Sequence, residues 1–137
     1  MIIKQFVLTP FRQNTRVIAC GETRSAICID PGEQSDELEE YIKDSDLNLQ
    51  AIALTHGHLD HIGGTAALSE AFPGAEVLLH EGDEEMYYAL PMQPLMLGIE
   101  PHQAASAQNS VICGHVVRGA GYAVEVSAFT TSSAIAA

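Results

Sequence analysis

A chain of 137 residues has room for one domain with one core, and a composition that is 47% hydrophobic, with no Trp, is that of a folding globular protein rather than a disordered one. Eighteen Asp and Glu against six Lys and Arg leave a formal charge of −12, a field that repels phosphate backbones and anionic lipid, which argues against nucleic acid and membrane as partners. The acidity itself reads as a solvated surface and is given no function.

Cys20, Cys28 and Cys113 are odd in number, widely spaced and set among apolar neighbours. They read as free thiols, with a Cys20 to Cys28 bridge across a hairpin as the other arrangement. Met1 to Leu8 lacks the apolar stretch and cleavage site of a signal peptide, so the expected compartment is the reducing cytoplasm.

In chain order, Ile2 to Leu8 is an expected strand. Arg16 to Cys20 and Ser25 to Asp30 form an antiparallel hairpin about Gly21, Glu22 and Thr23. Asp30, Pro31 and Gly32 break that strand, and Glu33 to Asp44, with Leu38, Tyr41 and Ile42 at helical spacing, predicts a first helix. Leu47 to Thr55 is a short apolar run of the kind buried in an α/β layer. A helix over Thr65 to Phe72, a strand over Glu76 to His80 and a short helix over Gly82 to Leu90 follow. Pro91 to Asn109 is an expected irregular loop over a cleft mouth, and Val116 to Val126, turning at Gly119 and Gly121, a closing hairpin. The order of elements predicts an α/β sandwich layer. Ser127 to Ala137 is an uncharged Ser, Thr and Ala tail with one Phe and one Ile.

The densest chemistry lies in Thr55, His56, Gly57, His58, Leu59, Asp60, His61, at the end of a predicted buried strand. Residues two apart in an extended segment point the same way, so His56 and His58 are placed to reach one metal ion. Asp60 and His61 sit where the chain turns toward the next helix and aim at a second ion. Gly57 is expected to let the backbone pass close to the metals, and Gly63 and Gly64 to make room for the turn. Two such ions would acidify a water and polarise a carbonyl. Any one of these residues alone would read as a solvated or core side chain; together they read as a site.

The run Leu54 to Gly64 resembles the metal motif of metallo-β-lactamase-fold hydrolases. Gln13, Asn14, Thr15 and the segment Ile27, Cys28, Ile29, Asp30, Pro31, Gly32 are similar to the leading segments of the glyoxalase II-like branch, in its small bacterial form. The resemblance spans Met1 to about Val126. It implies an α/β fold: the N-terminal half of the metallo-β-lactamase αβ/βα sandwich, a mixed sheet with helices on one face. Residues 1–126 would be a partial domain and 127–137 a tail foreign to the family.

By that resemblance His56 and His58 bind the first metal and Asp60 and His61 the second. Asp60 also orients the attacking water, and Asp30 supports the histidine loop by a hydrogen bond rather than ligating. Zinc is the implied metal, two per intact site, with iron or manganese as other fits. The implied reaction is hydrolysis of a thioester by metal-activated hydroxide, as in hydroxyacylglutathione hydrolases, with lactonase, β-lactamase, nuclease and persulfide dioxygenase chemistries also in the family.

The family's later ligands, a His-x-Pro-Gly-His segment, a bridging Asp and a final His, have no counterpart here. His80, His102 and His115 precede the closing hairpin and match none of them; structural or surface roles are expected. The expectation is therefore a truncated chain with impaired hydrolysis, or an inactive one that binds metal weakly or serves as an interaction surface, with an uncovered sheet face through which it could self-associate.

Overall fold

A computed structural model describes residues 1–96 and 98 together with the backbone of 111–112, 116–119 and 122–125. His102, Cys113, His115, most of the expected loop after Met96 and the tail at 127–137 lie outside the described residues.

Strands β1 (Ile2–Leu8), β2 (Gln13–Ala19) and β3 (Ser25–Ile29) form an antiparallel meander. β3 then pairs in parallel with β4 (Asn48–Ala53), β4 with β5 (Glu76–Leu78) and β5 with β6 (Val111–Ile112), giving a mixed six-stranded sheet in sequence order. The closing hairpin is present as β7 (Val116–Gly119) and β8 (Tyr122–Glu125) in a sheet of its own.

Helix α1 (Asp36–Asp44) crosses between β3 and β4. Ser35 caps it by accepting from the Leu38 N–H, and acidic residues fill its first turn, where the helix dipole favours them. α2 (Leu59–Ile62) and α3 (Thr65–Ala71) connect β4 to β5, and α4 (Glu84–Tyr88) and α5 (Gln93–Met96) follow β5. Leu38, Ile42, Ile62, Leu68, Tyr87 and Leu90 from the helical segments join Phe6, Val17, Cys28, Ile52 and Val77 from the sheet in one cluster, so the helices share one sheet face. No helix among the described residues is long and apolar enough to cross a membrane.

Several expectations are corrected. The chain from Leu90 to Met96 is not irregular: a 3₁₀ turn at Leu90–Met92 and α5 occupy it, since Pro91 and Pro94 stand early in their turns, where a missing N–H costs nothing. α1 starts three residues later than its acidic run suggested, at the Ser35 cap. At the centre of the opposite sheet face Ile27, Ala51 and Leu78 are buried, and among the described residues Ile3 and Val7 on edge strand β1 are exposed there, which leaves the expected self-association untested.

Cys20 and Cys28 are unbridged. Hydrogen bonds from Thr23 and Glu22 lower the pKa of Cys20, whereas burial raises that of Cys28. Iodoacetamide is accordingly expected to label Cys20 in the native chain and to reach Cys28 only on unfolding; peptide mass spectrometry showing equal labelling would contradict this placement.

The segment Pro31, Gly32, Glu33 packs directly beneath Asp60 to Gly64. A Cβ on Gly32 would collide with the Asp60 carbonyl, and one on Gly64 would collide with the Glu33 carbonyl and lie 2.8 Å from that of Pro31. Gly64 N–H also donates to the Pro31 carbonyl at 2.7 Å. Gly64→Ala, normally a gain beside a helix, is therefore expected to cost about 1–3 kcal/mol or more by overpacking backbone against backbone. Urea melts check it, and a stabilised variant would contradict it.

Candidate metal centre

The site stands at the carboxyl ends of the parallel strands, where open α/β sheets place their ligands. β3 delivers Asp30, and β4, ending at Ala53, delivers the loop from Leu54 to His58. The two histidines are not paired by strand alternation, because the strand has already ended. A bend at Thr55 and His56 brings the rings into T-shaped contact, centroids 4.6 Å apart at 86°. Asp60 and His61 lie on α2, a four-residue helix that the sequence pattern did not reveal, and the His61 ring tilts against His56 with centroids at 4.0 Å. Gly57 serves a purpose different from the one expected: a Cβ there would meet Met86 Cβ at 3.0 Å and the Asp83 carbonyl at 3.1 Å, so its bareness lets α4 pack against the loop.

Asp30 organises the loop. It adopts a positive φ of 50°, a conformation that Asp tolerates better than most residues, and is 4% exposed. Its Oδ1 accepts from Thr55 N–H at 2.7 Å, and its Oδ2 accepts from Thr55 Oγ1 at 2.7 Å and lies 2.9 Å from His61 Nδ1. The buried Thr15 hydroxyl donates to the Asp30 carbonyl at 2.7 Å, holding the residue from behind.

This network selects tautomers. The single Thr55 hydroxyl proton goes to Asp30, so at the 3.0 Å contact with His56 Nδ1 the ring must donate, leaving the His56 Nε2 lone pair free. His61 likewise donates from Nδ1 to Asp30 and turns Nε2 toward Asp60 Oδ2 at 3.4 Å. Burial, then the neighbouring His61 and His58, lower the pKa of His56. Burial also opposes a charge on His61, but the Asp30 hydrogen bond and the charges of Asp30 and Asp60 outweigh it and raise its pKa.

The donor set is that of a divalent transition metal, imidazole nitrogen with carboxylate oxygen. Spacing agrees at one pair: donors sharing a tetrahedral ion at about 2.0–2.1 Å stand roughly 3.4 Å apart, which is the Asp60 to His61 separation. Among the described residues no three His, Cys, Asp or Glu groups surround a common point. The rings of His58 and His61 instead both pack on that of His56. His80 stands apart, its Nδ1 accepting from Gly82 N–H at 3.0 Å as the cap of a 3₁₀ turn. Gln93, which holds the loop from α5 and lies in no motif, escaped sequence reasoning, as did the role of Thr55, whose hydroxyl sets the His56 tautomer.

Fold and site together define a layered α/β protein with a histidine and carboxylate cluster at the mouth of its sheet. The sequence matches the metallo-beta-lactamase superfamily over residues 8–127, and the chain belongs to that superfamily. It is 39% identical over 100 residues to the hydroxyacylglutathione hydrolase GloC of Haemophilus influenzae, covering 72% of this chain and 46% of that protein. To hydroxyacylglutathione hydrolase 1 of Vibrio vulnificus it is 33% identical over 111 residues, covering 70% and 44%. The chain thus spans about half the length of the curated relatives it matches. Among solved structures it is similar to the BLEG-1 B3 metallo-beta-lactamase, with a TM-score of 0.74 at 26% identity over 90% of this chain and 59% of that one. TTHA1623, solved in a di-iron-bound form, gives a TM-score of 0.69 at 28% identity, covering 80% and 52%.

Proposed function

We propose that this chain provides one side of the active site of a hydrolase acting on small thioesters of the hydroxyacylglutathione kind, with zinc as the metal. The observation that carries the reading is the cluster itself: His58 and His61 both stack on His56, Asp60 lies beside His61, and Asp30 and Thr55 set which ring nitrogens of His56 and His61 are bare. Two hydroxyacylglutathione hydrolases at 33–39% identity support the substrate class. When bound, the metal supplies an acidified water and an electrophile for the carbonyl.

His56 and His58 would hold the first ion through ring nitrogens, and Asp60 and His61 the second. The Asp60 side chain, 28% exposed, would accept a hydrogen bond from the attacking water and orient it. Water oxygen bonds to the acyl carbon, the carbon–sulfur bond breaks, and the thiol leaves with a proton. The free Cys20 and Cys28 support a reducing compartment, and we place the protein in the cytoplasm.

A second reading, an interaction surface with weakly held metal, draws on the lack of three convergent donors among the described residues. The deciding experiment is a substrate panel of S-lactoylglutathione, a lactone and a β-lactam, run on the chain joined to the second half of a hydroxyacylglutathione hydrolase. Thioester turnover is expected to dominate. Preference for the β-lactam or the lactone would overturn the substrate assignment, and no turnover of any of them would favour the second reading.

A further inference from the structure

Gln93, at the start of α5, reaches across to the loop with a fully engaged amide. Its Oε1 accepts from Leu59 N–H at 2.7 Å, and its Nε2 donates to the carbonyls of Gly57 at 2.8 Å and Met86 at 3.0 Å. Gly57 and Leu59 are the residues on either side of His58. A carbonyl at one position and an N–H two residues later, bonded to the same partner, is how a neighbouring strand would hold this backbone; here one side chain replaces the strand. Leu59 N–H is also one of the orphan donors of α2, whose cap residue His58 makes no side-chain capping bond. The amide has one usable orientation, because turned over it would set its NH₂ against an N–H and its oxygen against carbonyls.

We propose that Gln93 is a positioning residue for His58. It fixes the peptides flanking the ring, keeps His58 in its contact with His56, and ties both to α4 through Met86. The bonds of the Gln93 amide go to backbone groups and to none of the four ligand side chains. The inference rests on the reading of His56, His58, Asp60 and His61 as metal-holding, and it adds a residue that stands more than thirty positions downstream of the loop it holds.

Three variants separate positioning from folding. Gln93→Glu keeps an oxygen for Leu59 N–H but sets a carboxylate against two carbonyls. Gln93→Met keeps the length and loses all three bonds. Leu38→Ala, in the buried face of α1, lowers stability at a position that makes none of the three Gln93 bonds. Cobalt(II) titration is expected to show affinity roughly 10–100-fold weaker in both Gln93 variants and at the wild-type value in Leu38→Ala, even where thermal midpoints fall alike. Amide exchange at Leu59 should be slow in the wild type and fast in Gln93→Met. Wild-type cobalt affinity in both Gln93 variants, or an equal loss in Leu38→Ala, overturns the proposal. A wild-type chain that binds no cobalt sinks the metal reading instead. Positioning is then decided by Leu59 exchange and by NMR relaxation of the His58 ring, and values unchanged in Gln93→Met refute it.

Discussion

Asp30→Ala is expected to lower stability by about 3–5 kcal/mol, the range for removing one member of a buried, hydrogen-bonded charged set. The deletion strands the Thr55 N–H, the Thr55 hydroxyl and His61 Nδ1, all of which meet this carboxylate at 2.7–2.9 Å. It also places Ala at a φ of 50°, which Asp tolerates better. Asp30→Asn discriminates packing from ligand control. It keeps an acceptor for Thr55 N–H and tolerates the backbone, so it should cost distinctly less stability. Its NH₂ would face His61 Nδ1, however, turning that nitrogen into an acceptor and moving the ring proton to Nε2. His61 would then have no lone pair for a metal. The expected pattern in urea melts and metal titrations is a severe folding defect in Asp30→Ala, and a mild one with lost metal affinity in Asp30→Asn. An Asp30→Ala chain as stable as the parent would contradict the account.

The second large effect is in catalysis. The 137-residue polypeptide, assayed with zinc, manganese or iron added, is expected to hydrolyse S-lactoylglutathione at background, and the chain joined to a relative's second half at least roughly 100-fold faster. Among the described residues, four donors shared between two ions leave each short of a protein-held shell, since a catalytic zinc ordinarily has three protein ligands. The later histidines, His80, His102 and His115, match none of the family's later ligands, and His80 caps a 3₁₀ turn. Asp60 and His61 are 28% and 24% exposed at the side chain, and a wet site weakens every electrostatic contribution to the transition state. Comparable turnover by both polypeptides would require a complete site assembled from this chain alone.

Legibility followed the length scale of each signal. The first hairpin, α1 and α3 announce themselves through alternation, helical spacing and Gly or Pro stops, and the structure places them within a few residues of those signals, although the Ser35 cap that sets the start of α1 was not read. α2 was invisible because four residues carry no period, and its first N–H, that of Leu59, is satisfied by a side chain from α5. The donors His56, His58, Asp60 and His61 stood out by density alone, but the reason His56 and His58 meet did not: it is a bend after Ala53, not strand parity. Gly57 could be marked as special without revealing that its neighbour is α4. Such facts depend on contacts between segments far apart in sequence, which no local pattern encodes.

The central claim, that the loop from His56 to His61 is the metal centre, is tested most directly by cobalt(II) or zinc titration of the 137-residue chain beside His56→Ala, with bound metal counted by mass spectrometry after dialysis against a mild chelator. The account predicts fewer than two retained ions per chain, and loss of first-site binding in His56→Ala because a single imidazole does not hold the ion against water. Two stoichiometric ions surviving the chelator, or metal content unchanged in His56→Ala, would contradict it and move the ligands elsewhere.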